Sequence, residues 1–436
     1  MRARIHVVAL PLAGLALAGL LAACRAQRPP PPADQTDEAA NADAATRPPF
    51  DHNPNMTGRA RENSPDQPRL LWRFKTGDSV RSTPAVRDGM AYVGSYDGKV
   101  YAVRLRDGRK RWATPTGDGV ESSPLLLEEL LVVGSRDGKV YALDLRTGRP
   151  RWTFETGGVV MASPNLVTLD DGARLIVVGS YDGKLYALDA ANGKQRWTCD
   201  TEHYLSGAAA VMTVDAQPHV VFGGCDGYVR LVDAASGKLV RKISLESYVP
   251  GTVVVDDNRL YAATFNNGLF ALDLPKLETA WQTDWTRKQP GETTPARRRP
   301  PALSGSTDLD AAPADDPDPP EHEWMLSSPA VADQTLVIGT HKGNVYGIDA
   351  RTGRRLWTHR SDGPVDGSPV IVCEPDGCRV IVGSDDGRLS VLDVDSGKVV
   401  GRIRIGQSIT STPAVVDGVI LIGSDDGYLY AFEARP

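Results

Sequence analysis

Residues 135–152 read Ser135-Arg136-Asp137-Gly138-Lys139-Val140-Tyr141-Ala142-Leu143-Asp144-Leu145-Arg146-Thr147-Gly148-Arg149-Pro150-Arg151-Trp152, and this stretch decides the fold. Asp137-Gly138 is a hairpin signal, because glycine readily adopts the positive φ that such a turn requires. Val140 to Leu145 is an apolar-rich, β-compatible run; Thr147-Gly148 makes a second reversal, and Trp152 lies on the next strand. The unit is strand, tight turn, strand, turn, strand. It cannot bury its own faces, so copies of it must pack on one another.

Copies recur along most of the chain. Aligned on the glycine that opens a Gly-Ser-x-Asp-Gly box, Gly94, Gly134, Gly179, Gly223, Gly339, Gly383 and Gly423 are spaced by 40, 45, 44, 116, 44 and 40 residues. The long gap hides a degenerate copy, Ala263-Thr264-Phe265-Asn266-Asn267-Gly268 followed by Leu269-Phe270-Ala271-Leu272-Asp273, which makes eight. Copies open on Ser82-Thr83-Pro84, Ser122-Ser123-Pro124, Ser327-Ser328-Pro329 or Ser411-Thr412-Pro413, shortened to Ser163-Pro164 and Ser368-Pro369 elsewhere. Proline lacks a ladder donor and belongs at the first residue or the edge of a strand. An apolar strand and a turn such as Asp88-Gly89 come next, so each copy holds four strands, one propeller blade. The predicted fold is all-β, an eight-bladed β-propeller of four-stranded antiparallel blades. The last copy reaches Glu433 without room for a fourth strand, while Leu71-Trp72-Arg73-Phe74 precedes the first copy as a strand without a blade. The N-terminal strand is therefore expected to complete the last blade and close the ring.

Ahead of the repeats stand two further segments. Residues 1–24 read as a lipoprotein signal peptide: Arg2 and Arg4 form a basic start, and Val7 to Leu21 is an apolar stretch too short to span a bilayer. Leu21-Ala22-Ala23-Cys24 resembles a bacterial lipobox, which would make Cys24 the lipidated residue and the membrane anchor. Arg25 stands where lipoproteins retained at the inner membrane carry Asp, which points to the outer membrane. Residues 25–66, rich in Pro, Ala, Asp and Asn, read as a disordered tether. Residues 67–436 form the propeller, broken at about 286–322 by an insertion that is basic first and acidic after, read as a disordered loop. The net charge of −6 argues against a nucleic-acid partner.

Ala142-x-Asp144…Gly148…Trp152 and Ala187-x-Asp189…Gly193-Lys194…Trp197 resemble the tryptophan-docking motif of quinoprotein (PQQ-type) eight-bladed propellers, and the resemblance runs from about Arg69 to the C-terminus. It implies that Trp72, Trp112, Trp152, Trp197, Trp281 and Trp357 dock between adjacent blades. Burying one such ring removes ~150–250 Å² from water, worth at most ~4–6 kcal/mol. The aligned positions hold Arg241 and Gly401 in two blades, whose contacts are expected to be weaker.

The cysteines other than Cys24 suit an oxidising compartment. Cys373 and Cys378 face each other across a short hairpin turn and are expected to form a disulfide. Cys199 and Cys225 fall in loops on one face of the ring and leave open a second bridge. No cysteine has a further ligand at metal spacing, so no metal site is expected. Asp97, Asp137, Asp182, Asp226, Asp386 and Asp426 recur blade by blade, which marks turn chemistry rather than a catalytic acid. His203 and His341, on loops of one face, read as surface residues. Quinoprotein dehydrogenases add adjacent cysteines and long loops bearing Ca²⁺ ligands, and no adjacent pair stands here. The expectation is therefore no catalytic residue and no cofactor, with PQQ and Ca²⁺ as the alternative.

In plan the chain is similar to the BamB family of propeller lipoproteins of the outer-membrane β-barrel assembly machinery. That resemblance implies a lipid-anchored, monomeric, non-enzymatic scaffold at the outer membrane, facing the periplasm and binding envelope proteins, with a β-barrel assembly protein among them. A ligand-sensing propeller and a quinoprotein dehydrogenase are the alternatives. In that family the partner-contacting loop of the fourth blade carries Leu-Arg-Gly; here it reads His203-Tyr204-Leu205-Ser206-Gly207-Ala208, without the arginine. Function is expected where the repeat breaks: Tyr204 and Leu205, Phe265, Asn266 and Asn267, and the insertion.

Overall fold

The computed structural model describes residues 59–60, 68–266, 268–283, 323–375 and 377–433. The signal peptide with Cys24, nearly all of the tether, the insertion and Asn267 lie outside them. The described residues form eight antiparallel sheets of four strands each, one of them extended by a fifth strand. Blade 1 is Ala85–Arg87, Met90–Ser95, Lys99–Arg104 and Lys110–Pro115, ordered from the innermost strand to the outermost, and the later blades repeat this meander. In the inner strands of each blade the β-branched and aliphatic positions are buried where a blade packs on its neighbour, whereas the outermost strands leave Leu239, Val240 and Val399 exposed. Val93, Val133, Val177, Val221, Val337, Ile381 and Leu421 are all fully enclosed.

Ring closure matches the expectation. Arg69–Lys75 pairs antiparallel with Tyr428–Glu433, with Trp72 opposite Ala431 and Phe74 opposite Leu429. Blade 8 is thus completed by a strand from the other end of the chain, and no blade is left with an open outer edge from a missing strand. An exposed Arg69–Glu433 ion pair clasps the same seam.

The docking tryptophans show why the motif needs its glycine. Each indole lies on the turn before the outermost strand of the next blade and donates to a carbonyl there: Trp72 to Leu105 (2.7 Å), Trp112 to Leu145 (3.0 Å), Trp197 to Ala234 (2.8 Å) and Trp357 to Val394 (2.7 Å). At Gly148 a Cβ would fall 2.6 Å from the Trp112 ring, and φ there is +71°. Arg241 and Gly401 fit the same logic. The turn that would receive a ring from position 241 holds Leu274 to Leu277 instead of a glycine, and the buried Leu277 fills the space. The turn that would receive one from position 401 does not exist, because blade 8 is closed by two chain ends. Tryptophan is absent where there is no glycine turn to dock on.

The tether expectation is corrected at one point. Arg59–Ala60 is not disordered but pairs in parallel with Ile371 and Val372, on the innermost strand of blade 7, Val370–Glu374.

Candidate partner-docking face

In an antiparallel meander all box turns, and all loops leading from one blade to the next, fall on the same side of the ring; the turns that follow the innermost strands, such as Asp88-Gly89, and the Thr-Gly turns fall on the other. The box turns are tied to the inter-blade loops by a recurring backbone bond. The residue after the box Ser, Gly or Thr donates its N–H to a loop carbonyl: Tyr96 to Ser79, Arg136 to Gly119, Tyr181 to Val159, Cys225 to Tyr204, Phe265 to Tyr248, His341 to Trp324, Asp385 to Pro364 and Asp425 to Ser408. These pairs ring the mouth of the central channel.

The repeating Asp holds this face rigid. Asp137 accepts from Gly117 N (2.7 Å) in the preceding loop and from the Tyr141 hydroxyl (2.5 Å), and Asp97 and Asp182 make the same two contacts. Burial and the Asp137 carboxylate push the Tyr141 phenol up to about 12, so it stays a donor. Blade 4 replaces the tyrosine with Arg230, buried and paired with Asp226. In blade 6, which lacks the Asp, Glu323 takes its place and accepts from Asn344 Nδ2 (2.6 Å) and Tyr346 Oη (2.8 Å). The turn reading of these aspartates is sharpened: they pin loop to turn.

The Ser-Ser/Thr-Pro openings do more than start a strand. Ser122, Ser327 and Ser411 bond back to Gly134, Gly339 and Gly423 within their own blades. The serine just before the proline receives a backbone N–H from the preceding blade: Thr83 N to Ser123 Oγ (3.0 Å), Ser123 N to Ser163 Oγ (2.8 Å), Thr252 N to Ser328 Oγ (2.8 Å), Ser328 N to Ser368 Oγ (2.8 Å). A belt of buried hydroxyls thus joins blades around the channel.

On this uniform frame the mouth is asymmetric. At the loop position whose carbonyl receives the turn N–H, blades 1 to 3 carry Ser79, Gly119 and Val159, whereas blades 4 to 6 carry Tyr204, Tyr248 and Trp324. The rings form an arc. Tyr181 stacks on Tyr204 (4.7 Å between centroids), His203 sits edge-on to Tyr204 (5.6 Å) and near Tyr248 (6.2 Å), Phe265 stacks on Trp324 (5.2 Å), and Trp324 stacks on His341 (5.6 Å). Tyr248 is 50% exposed and Trp324 40% exposed. Adjacent large rings left in water on a rigid frame form the kind of patch that partners cover.

The opposite part of the mouth is charged. Asp366 is hydrogen-bonded to His341 Nδ1 (3.0 Å) and raises its pKa above the ordinary histidine range. Asp385 accepts from Ser408 (2.6 Å), and burial pushes its carboxyl up. Arg81 is paired with Asp425 (2.8 Å); Tyr96 lies against both Arg81 (4.9 Å) and Arg136 (5.5 Å); Arg136 is paired with the fully buried Glu121 (2.8 Å).

Of the residues singled out from sequence, the structure brings Tyr204 and Phe265 onto the arc, linked through Tyr248, and leaves Asn266 exposed beside them. Leu205 is corrected. It is 1% exposed and packs against Gly179, so it belongs to the core between blades 3 and 4. Cys373 and Cys378 are bonded, at the hairpin on the opposite face. Cys199 and Cys225 remain free thiols. Cys225 turns inward against Ser206 (3.6 Å), and burial holds it protonated, up to about 11, while Cys199 sits on the outermost strand of blade 3. Tyr248 and Trp324 were missed, although aligning the loops as well as the boxes would have set them in one column with Tyr204.

The mouth carboxylates do not fit Ca²⁺, which needs several converging oxygens. Asp366, Asp385 and Asp425 are each engaged by a different partner. Among the described residues the group close enough to share an ion is Asp333 with Cys373 and Cys378, whose sulfurs are already joined to each other.

A family model described as outer membrane protein assembly factor BamB matches residues 57–203, 182–309 and 341–436. Among curated proteins, the assembly factor BamB of Xanthomonas campestris pv. campestris is 27% identical over 187 residues, 43% of this chain and 36% of that protein. The BamB of Yersinia pestis is 29% identical over 126 residues, 25% of this chain and 31% of that protein. The quinohemoprotein alcohol dehydrogenase of Comamonas testosteroni is 32% identical over 134 residues, 25% of this chain and 18% of that enzyme. The matched stretches thus span about a third of the length of the assembly-factor relatives. Among solved structures, BamB from Moraxella catarrhalis superposes with a TM-score of 0.63 at 20% identity, over 84% of this chain and 97% of that one. The Comamonas testosteroni dehydrogenase gives 0.66 at 16% identity, over 92% and 82%. At those identities the superpositions show the fold alone.

Proposed function

The chain belongs to the family of the outer membrane protein assembly factor BamB, and from that premise we propose that it is a non-enzymatic propeller scaffold whose aromatic face docks another envelope protein. The observation that carries this reading is the run of Tyr204, Tyr248 and Trp324 at one loop position in three consecutive blades. Backbone geometry repeats around the ring while side-chain chemistry does not, and rigid exposed aromatics are what interface anchors are made of. In this reading Cys24 carries the lipid anchor at the outer membrane, the residues between Cys24 and Arg59 supply reach into the periplasm, and the propeller acts as a monomer without a quinone or Ca²⁺. The partner is a β-barrel protein of the assembly machinery. The missing arginine of the fourth-blade loop is offset by ring area from Tyr248 and Trp324.

The test is in-cell photo-crosslinking from positions 204, 248 and 324. Capture of a large outer-membrane β-barrel protein from all three supports the reading; capture of soluble periplasmic proteins alone overturns it. Reconstitution with PQQ and Ca²⁺ is the companion measurement, and dye reduction with an alcohol or sugar would replace the scaffold by a dehydrogenase.

A further inference from the structure

We propose that the channel mouth carries a receptor for one arginine side chain of the docked protein, built from Asp385, Asp366 and Thr410 just beyond the end of the aromatic arc. The receptor rests on the docking function proposed for the aromatic face, and it specifies the chemistry that the partner presents there.

The repeat itself shows which group is missing. Two residues after the loop carbonyl that holds a box turn, blades 1 and 7 place a side chain that pairs with the box turn of the preceding blade. In blade 1 this is Arg81, two residues after Ser79, and it takes Asp425 of blade 8 with Nε at 2.8 Å and Nη2 at 3.2 Å. In blade 7 it is Asp366, two residues after Pro364, and it takes His341 of blade 6 at 3.0 Å. In blade 8 the same position, two residues after Ser408, holds Thr410, and the box-turn residue of the preceding blade is Asp385. Threonine is short and uncharged. Asp385 is therefore left without the cation that Asp425, its counterpart one blade on, receives.

The local electrostatics agree. Asp385 is half-buried, and its hydrogen bond comes from a neutral group, the Ser408 hydroxyl (2.6 Å). Among the described residues no ion pair reaches it. Burial, with Asp366 and Asp425 nearby as like charges, pushes its carboxyl up. The second mark is independent of the carboxylates. Thr410 is 6% exposed, and its hydroxyl has no hydrogen-bond partner, a costly state for a buried polar group. Ser408 reaches Asp385 while Ile409 turns into the core against Gly383, so alternation along the extended chain puts Thr410 back on the side of Asp385.

A guanidinium supplies what this sector lacks. Its planar fork of five donors can meet the Asp385 carboxylate in the way Arg81 meets Asp425, with donors left for Asp366 and for the Thr410 oxygen. Access runs from the rings: the exposed Trp324 stacks on His341, and His341 is bonded to Asp366. A protein seated on the aromatic arc thus brings its side chains to this sector.

The experiment titrates the isotope-labelled full-length protein with N-acetyl-argininamide, and with N-acetyl-citrullinamide as the uncharged isostere, reading amide shifts by NMR. The arginine probe should move the amides of Asp385, Ser408 and Thr410, and the citrulline probe should not. Asp385→Asn should weaken the arginine probe about tenfold or more, as loss of a charge-assisted hydrogen bond does. Thr410→Arg, which rebuilds the Arg81 arrangement within the chain, should abolish probe binding and raise the melting temperature. Equal shifts from the two probes, shifts confined to other parts of the surface, or probe binding unchanged in Thr410→Arg would each overturn the receptor. In cells, Thr410→Arg should cut photo-capture of the partner from position 324 several-fold, and undiminished capture overturns the receptor while leaving the docking function standing. If the unsubstituted protein captures no partner, the docking function fails, and the argininamide titration still decides whether the arginine site exists.

Discussion

Tyr248 and Trp324 keep large rings in water while being fixed at the backbone by bonds from Phe265 and His341. Position without burial is the mark of a contact residue, so Tyr248→Ala and Trp324→Ala should leave the melting temperature nearly unchanged. Each should weaken partner binding by ~2 kcal/mol or more, the range of interface anchors; titration calorimetry and a thermal melt on the same samples check both halves. His341 adds a pH dependence. Asp366 is its main partner, with Asp385 nearby and Trp324 stacked on the ring, and its pKa is raised in the folded protein. A raised histidine pKa contributes stability that is present in full below the unfolded value of ~6.5 and is lost as pH rises through the folded value. Asp366→Asn should therefore destabilise the protein more at pH 5.5 than at pH 9, measured by urea melts at both. Equal destabilisation at the two values would mean that the ion pair is not what Asp366 provides.

At the scale of elements, the interface between blades is a repeated device of one ring, one glycine turn and one indole hydrogen bond. Trp357 is 8% exposed, and Trp357→Ala should cost ~3–5 kcal/mol, as large-to-small core changes do. Arg241→Ala, at the equivalent place on a strand facing the Leu277 turn, should cost far less, and denaturant melts of the two variants give the comparison. Gly347 stands where blades 1 to 3 have alanine, and a Cβ there would lie 2.0 Å from the Trp357 ring. Gly347→Ala should thus displace the indole and be destabilising, readable as a red shift of tryptophan fluorescence. In blade 4 the buried Arg230–Asp226 pair takes over from tyrosine and aspartate. Asp226→Asn would leave a guanidinium uncompensated in the interior, at ~3–5 kcal/mol.

For the whole molecule, the seam between Arg69–Lys75 and Tyr428–Glu433 decides whether eight blades behave as one body. Cutting that strand away should turn a single cooperative melt into a broad one, since an open array loses stability from its ends. The Cys373–Cys378 bond closes only a short loop, with a sequence separation of 5, so reduction should cost about 2 kcal/mol or less on loop-entropy grounds. Blade number and closure were legible in the sequence, because each is set by local turn chemistry and a spacing that repeats, and the tryptophan docking followed from the resemblance to quinoprotein propellers. Tyr204 and Phe265 were legible too, as breaks in the repeat. The sequence could not disclose that Leu205 turns inward, that Tyr248 and Trp324 join the same arc, or that Arg59–Ala60 pairs with the innermost strand of blade 7. Those outcomes depend on contacts between segments far apart in the chain, where burial and neighbours are decided by how the ring closes rather than by the residues on either side. A repeat determines its own frame locally; the lining of the ring's mouth is settled only when all eight blades are in place.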